Sequence, residues 1–461
     1  MVFNNVFFIF AFLPLALAMY RYIPNQMAKN VVLLIMSYIF YAWGNPVNLL
    51  LIVLLTCWNF VTVKDWANKS DKKVTQSFIF TIVLNVLVLC TYRYTNQIID
   101  LVNTYFETSI RTIELSIPFG LSFFVFSSIS YLADVYTEKS EPQDNLILYA
   151  LYVSFFGKAG SGPIVQYNEM EESLSDHLMT TELLAKGSAK FVRGLVKKVI
   201  FADQLAMMIA SLANNHTVLG AWLTAIGFML QIYFDFSGYS DMAIGIGNMF
   251  GFDWKENFDH PYLATSIQEF WRKWHISLYS WFKNYIYIPL GGSQVSTLLW
   301  IHTMFLIWIL TGIWHGANLT YLIWGIYNCL LLLLERFFLK NILEKNKKLS
   351  HALTLLFVLL GWIMFMSPDI FTAIETYSNM LGMGSGFLDS VSLFALRSYL
   401  LILILSCLFC TELYSRIETI LTLRFRGRSI LINLIVYFAL FVVCIACIIG
   451  NSYHAFLYFT F

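Results

Sequence analysis

Four long stretches of this chain contain no Asp, Glu, Lys or Arg: Asn30 to Val63, Gln204 to Phe234, Asn284 to Leu334, and Ser429 to Phe461. A helix that crosses a bilayer needs roughly 20 mostly apolar residues, so each stretch has room for one or two crossings. A water-soluble fold cannot carry such runs, because its outer faces need charge. Charged residues make up 12% of the 461 positions, where a soluble domain has about 25%. The same shortage excludes a nucleic-acid binder whose affinity rests on many phosphate contacts. The expected fold class is an all-α polytopic membrane protein. The first apolar stretch follows Met-Val-Phe-Asn-Asn, with no basic segment before it and no small-residue cleavage site after it, so it is read as a retained span.

Apolar patterning places about 12 transmembrane helices, at 5–20, 30–43, 47–63, 76–92, 117–136, 199–214, 219–234, 297–314, 319–335, 351–367, 398–415 and 430–449. Segment 145–157 is apolar but short and runs into Gly157-Lys158-Ala159-Gly160-Ser161-Gly162-Pro163, so it is expected to be re-entrant or interfacial. The Gly160–Pro163 part matches no nucleotide fingerprint and reads as a turn. With the N-terminus outside, the inner segments collect every Lys and Arg except Arg93, Arg111 and Arg397. That asymmetry puts both termini on the outer side of the membrane. Cys407, Cys410, Cys444 and Cys447 form two CxxC pairs, but inside apolar helices, where a thiolate metal site would bury charge in hydrocarbon. No metal site is expected.

Two inner segments are unusually long. In the first, about 137–198, Phe191, Leu195 and Val199 recur at helical spacing, with Lys190, Arg193, Lys197 and Lys198 elsewhere around the helix. A helix lying on the anionic inner leaflet is expected there, with its basic residues on the lipid headgroups. The second, about 235–296, opens with the motif DFSGYSD and is rich in Trp, Tyr and Phe. It is expected to form amphipathic helices half-sunk in the interface. Trp271, His275, Leu278 and Phe282 fall on one face of such a helix.

Most of the eight histidines have ordinary explanations. His177, His351 and His454 sit in loops or near span ends, His216 in an outer turn, and His260 before Pro261. His302, inside an apolar stretch, reads as an interhelical hydrogen bond. His315 differs, because it lies at the tip of the uncharged hairpin between spans 297–314 and 319–335, beside Gly312, Gly316 and Asn318. An ionisable residue at membrane depth is a functional candidate by default, and a neutral imidazole suits a general base. A hydrogen-bonded packing histidine is the alternative. His275 lies on the aromatic, basic inner segment between Trp271-Arg272-Lys273-Trp274 and Lys283, which suits a path that enters from the cytosol and ends deeper. No nucleophile elbow, HExxH helix or phosphate-binding loop is present.

The motifs DFSGYSDMAIG (235–245), ENFDHPYLATSIQEFWRKWHISL (256–278), YIPLGG (287–292) and WHGA (314–317) resemble those of the membrane-bound O-acyltransferases. Among these the chain is most similar to the bacterial alginate and peptidoglycan O-acetyltransferase membrane subunits. The resemblance runs over essentially the whole chain and implies one domain forming a funnel of helices. N-terminal spans fill 1–136, a re-entrant and catalytic core 137–345, and C-terminal spans 346–461. It further implies that His315 and His275 are catalytic, with Trp271, Arg272, Lys273, Trp274, Lys283, Asn284, Trp314 and Asn318 along a donor tunnel. Here Lys283-Asn284-Tyr285 stands where relatives often show Arg-Asp-Tyr, which removes a carboxylate from the tunnel entrance.

By that resemblance the chain takes acetyl groups from a cytosolic acyl thioester donor, acetyl-CoA, with no resident cofactor. It passes them across the bacterial cytoplasmic (inner) membrane for O-acetylation of a cell-surface or exported polysaccharide. The implied partners are a separate extracytoplasmic transferase of the SGNH-hydrolase type and membrane lipids, with no nucleic acid. Three alternatives stay open: D-alanyl transfer to teichoic acid from a carrier-protein thioester, a proton-coupled secondary transporter, and a non-catalytic scaffold.

Overall fold

A computed structural model of the chain describes residues 1–113, 115, 117–339, 343, 345–425, 429–450, 456 and 457. His454, together with Lys340, Arg426 and Arg428 of the charge asymmetry, lies outside the described residues. Every regular element described is helical, and eight helices are long and apolar enough to cross a membrane. Shorter apolar helices occupy Phe8–Tyr22, Gln26–Ala42, Leu121–Tyr136 and Leu146–Lys158. Segment 199–214 differs from expectation: a π-helical turn, Lys197–Ala202, leads into a helix of only nine residues, Asp203–Ser211.

The chain divides into two compact units, the first being Met1–Phe191 with Met242–Lys255. Its helices are α1 (Leu13–Tyr22), α2 (Gln26–Ala42), α3 (Pro46–Trp66), α4 (Asp71–Phe106), α5 (Leu121–Tyr136), α6 (Leu146–Ser154), α7 (Tyr167–Ser175) and most of α8 (Thr181–Val196). Apolar helices find no hydrophobic drive to associate in lipid, so polar pairs hold them. Asn59 of α3 and Asn85 of α4 exchange amide hydrogen bonds at 3.2 and 2.8 Å. The loop histidine His177 is buried, with Nε2 2.8 Å from Asn30 Oδ1 and Nδ1 2.7 Å from the Tyr20 hydroxyl. Residues 159–162 form a turn, with Gly160 at φ 74°.

The second unit is Val192–Asp241 with Glu256–Phe461. It holds α9 (Asp203–Ser211), the larger part of α10 (Val218–Met249), α11 (Ile267–Lys273), α12 (Ile276–Phe282), α13 (Thr297–His315), α14 (Leu319–Leu334), α15 (Lys347–Met366), α16 (Ile370–Met380), α17 (Ser390–Phe409), α18 (Leu413–Phe425) and α19 (Ser429–Gly450). The DFSGYSD motif does not open a loop; it lies inside the 32-residue helix α10. Its carboxylates stay there because cations meet them. Lys198 Nζ lies 2.6 Å from Asp235 Oδ1 and 2.9 Å from Asp203, and Lys197 Nζ lies 2.6 Å from Asp241. These two lysines therefore do not face lipid headgroups as their sequence pattern suggested; Lys198 is 2% exposed. Lys197 and Lys198 open the π-helical turn, and the carboxylates of Asp203, Asp235 and Asp241 meet them there.

Candidate active site

The uncharged run 284–334 folds as the expected hairpin, α13 and α14, with His315 as the last residue of α13. Gly312 lets the two backbones touch. A Cβ on Gly312 would lie 2.6 Å from the Tyr321 carbonyl oxygen, and one on Gly325 only 2.4 Å from that of Trp308. This close approach sets His315 among aromatic rings. Its imidazole meets Trp324 edge-on at 5.3 Å, Phe365 at 4.9 Å and Trp314 at 4.7 Å.

The amphipathic segment 267–282 is not one helix. It breaks between α11 and α12, where His275 adopts the left-handed conformation at φ 47° and ψ 57°. Such backbone is uncommon away from glycine and persists only where surroundings impose it. Trp271, His275, Leu278 and Phe282 still line one cavity, as their spacing predicted, and His315 lines it too. The cavity measures about 1020 Å³, at the large end of small-molecule sites.

Among the described residues its lining carries four cations, Arg272, Lys283, Arg336 and Lys347, against one carboxylate, Glu335. Glu335 is already engaged: it accepts the Ile267 N–H at 2.6 Å and the Gln268 N–H at 3.4 Å, capping the start of α11. Lys283 sits in the π-helical turn Lys283–Tyr287, and Glu335 and Arg336 open another, Glu335–Leu339. Arg336 stacks over the Trp300 ring at 3.8 Å. Positive charge in the cavity is thus left for an anionic ligand, and two imidazoles line the same cavity.

Of the residues singled out in the sequence, Trp271, Arg272, Trp274, His275, Lys283 and His315 meet at this cavity. Lys273, Asn284, Trp314 and Asn318 do not line it. Lys273 pairs with Glu269 at 3.0 Å, and Asn318 donates to the Pro368 carbonyl at 3.3 Å. Arg336 and Lys347 were missed, because a basic residue next to an apolar span reads as an anchor. His302 is exposed and donates back to Leu298 O at 2.8 Å within its own helix, not between helices. Among the described residues no cluster of three or more His, Cys, Asp or Glu has metal-binding geometry.

His275 is 3% exposed, and burial pushes its pKa down to about 3, so the imidazole is neutral near pH 7. Its Nδ1 lies 3.2 Å from Asn257 Oδ1, and among the described residues its buried Nε2 has no hydrogen-bond partner.

The model of the MBOAT, membrane-bound O-acyltransferase family, matches residues 33–374. The protein named Probable alginate O-acetylase AlgI from Pseudomonas syringae pv. tomato is 38% identical over 394 residues, covering 83% of this chain and 76% of that one. The peptidoglycan O-acetyltransferase of Helicobacter pylori is 32% identical over 422 residues, covering 83% and 80%. The teichoic acid D-alanyltransferase of Bacillus subtilis is 28% identical over 236 residues, covering 48% and 59%. The family match runs across most of the length, and two of these relatives are above 30% identity. The chain belongs to the membrane-bound O-acyltransferase family.

Proposed function

We propose that the chain is the membrane subunit of a polysaccharide O-acetylation system of the alginate or peptidoglycan type. It takes acetyl groups from cytosolic acetyl-CoA and delivers them across the bacterial cytoplasmic membrane to an extracytoplasmic transferase of the SGNH-hydrolase type. The observation that carries this is the cavity itself, which two histidines and four cations of the described residues line together. The likeness to alginate and peptidoglycan enzymes over 83% of the chain supports O-acetylation. The D-alanyltransferase likeness covers only 48%. Both termini are assigned to the outer side from the distribution of Lys and Arg.

Arg272, Lys283, Arg336 and Lys347 hold the phosphates of the donor, since charge-assisted contacts to phosphate are the strong ones. The acetyl thioester then extends along the aromatic wall toward His315. The acceptor hydroxyl oxygen attacks the thioester carbonyl carbon while His315 takes the hydroxyl proton. The carbon–sulfur bond breaks, and the departing thiolate recovers that proton as the CoA thiol. The new ester leaves on the acceptor.

The test is the ester content of cell-surface polysaccharide, released by mild base and normalised to intact membrane protein. His315→Ala should lower it by about 10²-fold or more, the lower bound of general-base catalysis. His302→Ala, on the same helix but exposed, should retain activity. Near-normal ester in the His315 variant would overturn the mechanism.

A further inference from the structure

Asn257 makes four hydrogen bonds, three of them to consecutive residues at the break between α11 and α12. Its backbone carbonyl accepts the Ile276 N–H at 2.9 Å. Its side-chain Oδ1 accepts the Ser277 N–H at 3.0 Å and faces His275 Nδ1 at 3.2 Å. Its Nδ2 donates to Ser240 Oγ at 2.9 Å. The Ser277 contact fixes which way the amide points. A backbone N–H can only donate, so a flipped amide would set two donors against each other. The nearer atom facing His275 Nδ1, at 3.2 Å, is therefore an acceptor; the Ser277 hydroxyl at 3.5 Å is the longer contact and can accept as well as donate, so the Asn257 oxygen sets the proton on Nδ1. Nε2 then holds a lone pair. A buried polar atom left without a partner is costly, and His275 lines the cavity, so its retention points to a group that arrives with the substrate.

We infer that Asn257 is a positioning residue that locks His275 as the Nδ1–H tautomer, so that its Nε2 accepts a hydrogen bond from substrate. This rests on the functional reading above and sharpens it. In that tautomer His275 does not polarise the thioester carbonyl, which would require a donor. It receives an N–H or O–H instead, from the amides of the donor's pantetheine arm or from the acceptor hydroxyl. The same three contacts hold His275 at its positive φ, so one side chain sets both the backbone and the proton.

Among the described residues no charged group is bonded to His275, although Arg272 and Lys283 line the same cavity. The rings against His275 are Phe236, at 4.6 Å, and Phe258. The charged or titratable side chains of the neighbouring elements, Asp235, Asp241, Glu256, Asp259, His260, Arg272 and Lys273, make no hydrogen bond or ion pair with it.

The first measurement needs no turnover: nitrogen NMR of the full chain in lipid with labelled histidine, His275 being assigned by its loss in His275→Gln. Wild type should show a protonated Nδ1 and a bare Nε2. A proton on Nε2 in wild type would overturn the proposal, and this holds even if no Asn257 variant folds. In Asn257→Ala the Nε2–H tautomer should appear. The second measurement is thiol release from acetyl-CoA in membrane vesicles as a function of pH. Asn257→Ala should be slower by roughly tenfold or more, as for other wrong-tautomer variants. Asn257→Asp places a carboxylate against Nδ1–H and stabilises the imidazolium, which cannot accept. Its activity should therefore fall on the acid side and recover as pH rises. A rise in the donor concentration for half-maximal rate would assign the bonded group to the pantetheine amide, and a fall in maximal rate would assign it to the acceptor hydroxyl. An Asn257→Asp profile that superimposes on wild type would sink the role of Asn257. Correct tautomers with no acetyl-CoA turnover would instead count against the donor assignment.

Discussion

Adding a single methyl group at Gly325 should disable the site without touching a chemical group. A Cβ built there lies 2.4 Å from the Trp308 carbonyl oxygen, whereas ordinary contact begins at 3.4 Å. The obstacle is backbone on both sides, so no side chain can swing away and α13 and α14 must part by about 1 Å. His315 sits on α13 three residues beyond Gly312, and its ring partner Trp324 precedes Gly325 on α14. A misplacement of about 1 Å can cost 10²-fold in rate, roughly 2.7 kcal/mol. Overpacking typically adds about 1–3 kcal/mol of destabilisation, so the assay must separate the two. Ester content of the polysaccharide, normalised to intact protein in the membrane, should fall about 10²-fold in Gly325→Ala. Gly44→Ala, with nothing within 4 Å of the added carbon, should behave as wild type. Full activity in folded Gly325→Ala would show that His315 does not depend on the hairpin's spacing.

Arg336→Gln and Lys347→Gln should raise the acetyl-CoA concentration for half-maximal transfer by roughly five- to 150-fold with the maximal rate nearly intact; unchanged donor dependence in both would return these residues to membrane anchors. Lys198→Met would leave Asp235 and Asp203 buried without their cation, a loss of about 3–5 kcal/mol, so the amount of protein in the membrane should drop sharply; normal levels would show that the cluster is dispensable. Cysteines introduced at 64–73 and 345–348 should react with impermeant reagent only from the cytosol, and those at 100–106 and 383–388 only from outside. Labelling of 345–348 from outside would reverse the orientation.

The sequence revealed the hairpin and its histidine because charge is absent from 284–334 and a bilayer admits only helices there. It also revealed the face shared by Trp271, His275, Leu278 and Phe282, since side-chain direction survives the helix break. The break itself was invisible. His275 owes its positive φ to Asn257, 18 positions away, and no local pattern announces that. DFSGYSD looked like a loop because Asp235 and Asp241 were counted as charges without their lysines, which come from a different helix. Lys198 in turn looked exposed because its partners, Asp203 and Asp235, lie outside the stretch that carries the helical pattern. Arg336 and Lys347 carry the ordinary signature of inner-leaflet anchors, and only the cavity distinguishes them.

The π-helical turns at Lys283–Tyr287 and Glu335–Leu339 also bear on how such a site changes through time. Each π turn accommodates one residue more than the α turn it replaces. Losing a single codon within either would restore α geometry at the turn and leave the helix on both sides in its original phase. The side chains carried by the shortened turn, Lys283 or Arg336 among them, would be repositioned at the cavity while the flanking span kept its facing and lipid fit. Small insertions and deletions at these two places therefore give a lineage a short route to a different donor headgroup, with the hairpin that bears His315 left as it is.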